Sequence, residues 1–149
     1  MIHSILKLVL AFKRILLFAT LTVFSYTVAA EMVVILHPKV DVESMNSQTL
    51  GRIYAMQVKN WKDGQPIKVF TYSTQKDVSR QFIISNIKMQ PHQLERLWNR
   101  LIFTGIGRTP TVVSSSKEMI EKVKTTPGAI GYVEMPADLS SVQVLEVGQ

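Results

Sequence analysis

The chain has 149 residues, 46% of them hydrophobic, with 17 Lys or Arg against 11 Asp or Glu and no cysteine. The missing thiols exclude a disulfide framework, a thiolate metal site, a cysteine nucleophile and a lipoprotein anchor on an N-terminal Cys. All eleven acidic residues lie after Ala30 and three of the seventeen basic ones before it, so residues 31–149 carry only +3, too mild and too evenly spread to expect nucleic-acid binding.

Lys7, Lys13 and Arg14 are the only charges in the first thirty residues, and they precede the uncharged run ILLFATLTVFSYTVAA from Ile15 to Ala30. Val28 and Ala30 occupy the minus-three and minus-one positions of a cut before Glu31. This pattern predicts a cleavable signal peptide over residues 1–30. An uncleaved membrane anchor is the rival reading, but sixteen uncharged residues fall short of the ~20 that a spanning helix needs. Cleavage leaves 119 residues, 31–149, enough for one ordinary domain and too few for two. Export without thiols fits a bacterial periplasm, with no membrane insertion once the signal is removed.

Met32 to Leu36 (MVVIL) reads as a buried strand, and the following HPKVDVES as a loop that Pro38 keeps out of the strand. A helix is expected from an N-cap at Asn46 or Ser47, with Leu50, Ile53 and Tyr54 on one face. Asp63-Gly64 supplies a reversal, and Ile67 to Thr71 alternates like a strand. The next helix is expected over about Asp77 to Ile87, with Val78, Phe82, Ile83 and Ile87 inward. Pro91 opens another, whose stripe Leu94, Leu97, Trp98, Leu101 and Ile102 is the strongest helical period in the chain. It should stop at a Gly105 cap.

A brief strand over Thr111 to Val113 leads to the capping box SSKE at Ser115 to Glu118 and a helix with Ile120 and Val123 inward. AIGYVE and SVQVLEV complete the pattern as strands. Strands alternating with helices predict an α/β domain over 31–149. Its sheet should be mostly parallel, with helices on both faces and an antiparallel strand, if any, at one edge.

Chemistry-bearing patterns are few. His37 and His92 stand alone, which suits loop caps better than a metal site, and no nucleophile elbow, P-loop or dinucleotide fingerprint occurs. No catalytic constellation and no cofactor are expected. What stands out is two hydroxyl-rich helix starts, Ser73-Thr74 and Ser114-Ser115-Ser116. Such hydroxyls ordinarily satisfy the orphan N–H groups of a helix. Two of them on one α/β sheet also suit an anion held where strands end and helices begin. Arg80, one turn into the first helix, and Arg108, after Gly105-Ile106-Gly107, are candidate cations. Arg80 is equally suited to pairing with Asp77 or Asp63.

Four phrases taken together, LGRIYAMQVKNWKDGQPIKVF, SRQF, LERLWNRLIFTGIGRTP and TTPGAIGYVE, resemble the small single-domain phosphate ABC transporter substrate-binding-like proteins of bacteria. These in turn resemble part of the larger periplasmic phosphate-binding proteins. The resemblance runs from Val33 to Val147, and PGAIGYVE gains its specificity from Trp61 and WNRLIFTG beside it. It implies one three-layer lobe of the type 2 periplasmic binding protein fold. It also implies binding of phosphate or another small oxyanion, and a link to ABC-type uptake or phosphate sensing through a permease or envelope partner.

The ligand contacts it suggests are Ser73, Thr74 and the N–H groups of Gln75 and Lys76, assisted by Arg80 or Arg108. The larger proteins carry Ser-Gly-Thr at this helix start, where this chain has Lys76-Asp77-Val78. The departure keeps open a second reading, a periplasmic interaction or sensory module that has lost its ligand.

Overall fold

Met32–Leu36 forms β1, in which the consecutive Val34, Ile35 and Leu36 are all buried, so both faces of the strand are covered and its β-branched run has no polar alternation. The computed structural model describes residues 31–105 and 107–148. The expected signal peptide lies outside the described residues. β1 is followed by β2 (Ser44–Asn46), α1 (Ser47–Tyr54), β3 (Lys68–Tyr72), α2 (Asp77–Phe82) with a π-helical turn (Ile83–Ile87), and α3 (Pro91–Thr104). Then come β4 (Thr111–Val113), α4 (Ser116–Thr125), β5 (Ala129–Glu134) and β6 (Gln143–Gly148).

The six strands lie in the order β2-β6-β1-β5-β3-β4. Three pairings are parallel (β2 with β6, β3 with β4, β3 with β5), and β1 runs antiparallel to both of its neighbours. The mostly parallel sheet is therefore as expected, but its antiparallel member is interior and not at an edge. β2, which runs from the last residue of the expected loop to the expected helix cap at Asn46, is a three-residue edge strand without a β-branched residue, so no local pattern announces it.

Alternation along β5 assigns the two helical layers. A Cβ on Gly131 would sit 2.5 Å from Met119 Sδ and 2.9 Å from Val123 Cγ2, so α4 covers the face of Ala129, Gly131 and Val133. Met119 and Val123 are the buried positions of α4, and Ile120 is only partly covered. The opposite face carries Tyr132, whose ring stacks on Phe82 of α2 at 3.7 Å between centroids and meets Tyr54 of α1 edge-on at 5.9 Å. Such aromatic pairs add about 0.5–1.5 kcal/mol each beyond their buried area. Trp98 of α3 joins this layer by donating from Nε1 to the Tyr54 carbonyl at 2.8 Å.

Local signals account for most element ends. Asn46 caps α1 by accepting from the Thr49 N–H at 2.8 Å, Pro91 is the first residue of α3, and Gly105 ends it at φ 63°. The helix expected through Ile87 stays α-helical only to Phe82. The Lys88 N–H then closes on the Ile83 carbonyl, five residues back. Two consecutive isoleucines followed by Ser85-Asn86 are poor α-helix formers, and the wider turn keeps both Ile83 and Ile87 buried. The α3 stripe is narrower than its period suggests: Leu94 and Trp98 are buried, whereas Ile102 is 61% exposed and Phe103 89% exposed.

Candidate functional site

Parallel β3, β4 and β5 end at the same side of the sheet, and the register pairs Tyr72 with Val113. The residues that follow, Ser73 and Ser114, therefore leave the sheet side by side, and each leads into a helix start. Lys76, the N-cap residue of α2, ties the two loops together: its Nζ donates to the Ser114 carbonyl and lies 5.5 Å from the centroid of the Tyr72 ring. The Tyr72 hydroxyl adds a 3.4 Å bond to Ser116 Oγ.

The donors at this rim are partly engaged. Ser73 accepts at Oγ from the Gln75 N–H at 3.4 Å and at its carbonyl from the Lys76 N–H at 3.0 Å. The Thr74 hydroxyl donates to Glu95 Oε1 on α3. At the α4 start, Ser115 Oγ accepts from the Glu118 N–H at 3.2 Å, as the capping box predicts. Glu118 reaches one residue further back than the motif requires. Its Oε2 accepts from the Ser114 N–H at 2.8 Å and from Ser114 Oγ at 2.6 Å. The Ser114 hydroxyl, then its N–H, then Lys122 and Lys76 hold this carboxyl below its ordinary pKa.

Beneath the rim lies a buried hydroxyl network that sequence patterns did not single out. Tyr132 Oη sits 3.0 Å from Thr71 Oγ1, 3.0 Å from Ser79 Oγ and 3.4 Å from the Tyr72 nitrogen. One tyrosine thus fixes the end of β3 against the first turn of α2. The available signal was Tyr132 inside the apolar run AIGYVE, since a tyrosine buried in a strand must find a partner for its hydroxyl.

Burial raises the pKa of Tyr132 above its ordinary 10.0, against the lowering effect of the Ser79 and Thr71 bonds. It raises Tyr54 well above that value, helped by the nearby Tyr132 and Tyr72 rings. A group whose folded pKa lies above its unfolded one keeps its full contribution below the unfolded value and loses it as pH rises. Stability should hold to about pH 10 and then fall steeply in an alkaline titration followed by circular dichroism, with a shallower fall in Tyr54→Phe. An equally steep fall in Tyr54→Phe would remove that residue from the cause.

The six residues expected to contact a ligand do not all share one place. Ser73, Thr74, Gln75 and Lys76 lie at the rim. Arg80 is one turn further along α2, exposed, with NH1 3.7 Å from Asp77 Oδ1. Arg108 is at the opposite end of β3: it lines a cavity of about 280 Å³ with Ile67, Lys68 and Leu101, before β4 begins. Lys68 and Tyr72 are four residue steps apart along β3, roughly 13 Å. The geometry adds the Lys76 side chain to its expected N–H and brings the Ser114 helix start into the same rim.

Residues 18–146 match the family described as the PBP superfamily domain, and the chain belongs to that family. Among solved structures it is similar to PstS from Borrelia burgdorferi (TM-score 0.58, 19% identity, covering 80% of this chain and 48% of that one). It is also similar to an ABC-type phosphate transport receptor from Vibrio cholerae (TM-score 0.61, 19% identity, 79% of this chain, 46% of that one). A third is a putative phosphate ABC transporter substrate-binding protein with bound phosphate from Clostridium perfringens (TM-score 0.60, 20% identity, 79% and 45%). The chain spans less than half the length of each, and at these identities the likeness is one of fold. No curated protein matches the chain. No helix among the described residues is long and apolar enough to cross a membrane.

Proposed function

We propose that this chain is an exported solute-binding domain, not an enzyme, whose rim between residues 73–76 and 114–116 takes phosphate or a related oxyanion for ABC-type uptake or sensing. The observation that carries the reading is the Glu118 carboxylate. The Ser114 N–H and hydroxyl already close on one of its oxygens at 2.8 and 2.6 Å, beside Lys76. Donors arranged for a carboxylate oxygen suit a phosphate oxygen equally well. An incoming anion would displace Glu118 and gather Ser114, Lys76 and, across the gap, Ser73 and Thr74. Arg80 stands one turn away and Arg108 at the other end of the sheet, so the reading leaves Arg108 out.

Calorimetry of the chain from Glu31 onward against phosphate and sulfate tests this. Glu118→Gln removes the competing charge while keeping the shape, and should tighten phosphate binding by about tenfold, near 1.4 kcal/mol. Thr74→Ala should weaken binding by more than it lowers stability. No heat and no thermal shift at millimolar anion, in the wild type and in Glu118→Gln alike, would defeat the proposal.

A specific observation favours the second reading, an envelope interaction module without a ligand. Thr74 is committed to Glu95, Lys76 to the Ser114 carbonyl, and Asp77 and Glu118 place acids in the first turns of both helices. The same titration separates the two.

A further inference from the structure

On the layer of α1 and α3, away from the rim, two hollows meet at Met89. One, about 500 Å³, is lined by residues including Gly51, Arg52, Ile87 and Lys88. The other, about 450 Å³, is lined by Gln93, Arg96, Leu97 and Arg100. Together they make a furrow with an apolar floor and four cations, and no carboxylate lines either part. Among the described residues, none of these four cations lies within ion-pairing distance of an Asp or Glu, the ion pair that does form being Arg80 with Asp77. The four cations come from three separate segments that the fold brings together.

The backbone here is also unusual. The π-helical turn delivers Lys88 to the furrow in a left-handed conformation, φ 58°, which a residue with a Cβ adopts only at a cost. Across from it, a Cβ on Gly51 would lie 3.2 Å from the Ile87 carbonyl oxygen, so glycine allows α1 and the turn to approach. Downstream on the solvent face of α3, Phe103 lies seven residues beyond Arg96 and three beyond Arg100, on the same line.

We infer that this furrow docks an acidic, apolar-punctuated segment of a partner protein, its carboxylates meeting Arg52, Lys88, Arg96 and Arg100 and its apolar side chains reaching Met89 and Leu97. Charge complementarity argues for the acidic partner. Shape argues for a segment and not a bilayer: Arg52, Lys88, Arg96 and Arg100 are exposed, while Ile87 is buried and Met89 and Leu97 half-buried. A flat anionic surface would reach the cations and miss the floor. An extended segment fits into it.

The test is fluorescence anisotropy of the purified protein with a labelled peptide of alternating Glu and Leu, against its Lys and Leu counterpart and against phosphatidylglycerol vesicles. The acidic peptide should bind with an affinity that falls as salt rises. Arg96→Gln with Arg100→Gln should weaken it by about tenfold, while Lys117→Gln with Lys124→Gln, on the opposite helical layer, should leave it unchanged. Lys88→Asn should weaken binding without lowering the melting temperature, because asparagine tolerates the left-handed conformation. Equal binding of both peptides, binding of neither, or retention of affinity in the arginine variant would each overturn the inference. Binding to the vesicles with the same loss in the variants would overturn it in favour of a membrane surface.

Discussion

Gly128→Ala should cost the protein about 3–5 kcal/mol of stability, among the largest effects a single methyl group can have. Gly128 turns the chain into β5 at φ 77°, a conformation that itself disfavours alanine by about 1–2 kcal/mol. A Cβ there would also collide with the Pro66 carbonyl oxygen, a backbone atom that cannot rotate away. Yielding would move the segment just before β3, and with it the Lys68 N–H bond to the Gly128 carbonyl at 3.0 Å. The same carbonyl accepts from Trp61 Nε1 at 3.0 Å, so one displaced peptide unit loosens the tryptophan, the strand entry and the β5 register. Gly64→Ala is the control: its φ is 87°, but nothing lies within 4 Å of its Cβ, and only the conformational cost of about 1–2 kcal/mol remains. Urea unfolding of both variants decides the matter. Equal losses would mean that the close approach at Pro66 contributes nothing.

The second large effect lies at Tyr132. Tyr132→Phe keeps the ring stacked on Phe82 but takes the hydroxyl away from Thr71, Ser79 and the Tyr72 N–H. Thr71 and Ser79 are both buried and keep only their bonds to the Tyr72 carbonyl, at 3.1 and 3.5 Å, so the expected loss is about 1–2 kcal/mol. Tyr132→Ala adds a cavity amid Tyr54, Tyr72 and Phe82, for a total near 4–5 kcal/mol. A loss below about 0.5 kcal/mol in the phenylalanine variant would show that the network is incidental. Because Tyr72 and Ser79 border the rim, that variant should also loosen Ser73 and Thr74, visible as faster amide exchange there.

Much of the fold was legible because its signals are local. Caps at Asn46, Ser115 and Gly105, proline at Pro91 and the apolar strands at Met32 and Ala129 each act within a few residues. Pairing across the sheet is not local. Nothing in MVVIL indicates that β1 is antiparallel and central, and nothing in SMN indicates a strand. The α3 period indicates an apolar stripe but not that Ile102 and Phe103, at its end, stay exposed while Leu101 is covered by the Gly107 loop.

At the candidate site the hydroxyl loops were readable as helix starts, and their adjacency follows only from the β3–β4 register. Lys76, Glu95, Glu118 and Tyr132 enter the rim through bonds to Ser114, Thr74, Ser114 and Thr71. Of these, only the contact between Ser114 and Glu118 falls within a helical turn. The other partners lie 21 to 61 residues apart, beyond the reach of any motif.

The central place of β1 has a consequence for how the chain reaches its native state. Its partners are β5 and β6, so Ile35 must wait for Gly131 and Val144, about a hundred residues later in synthesis. Until then the middle of the sheet has an empty slot, and the preceding helices have little to pack against. Assembly is thus held back until the last quarter of the polypeptide arrives, and contacts of such long sequence separation make it slow. A nascent chain of this topology has no closed sheet for most of its length, so its apolar strands stay unpaired longer than in a sheet built from sequence neighbours.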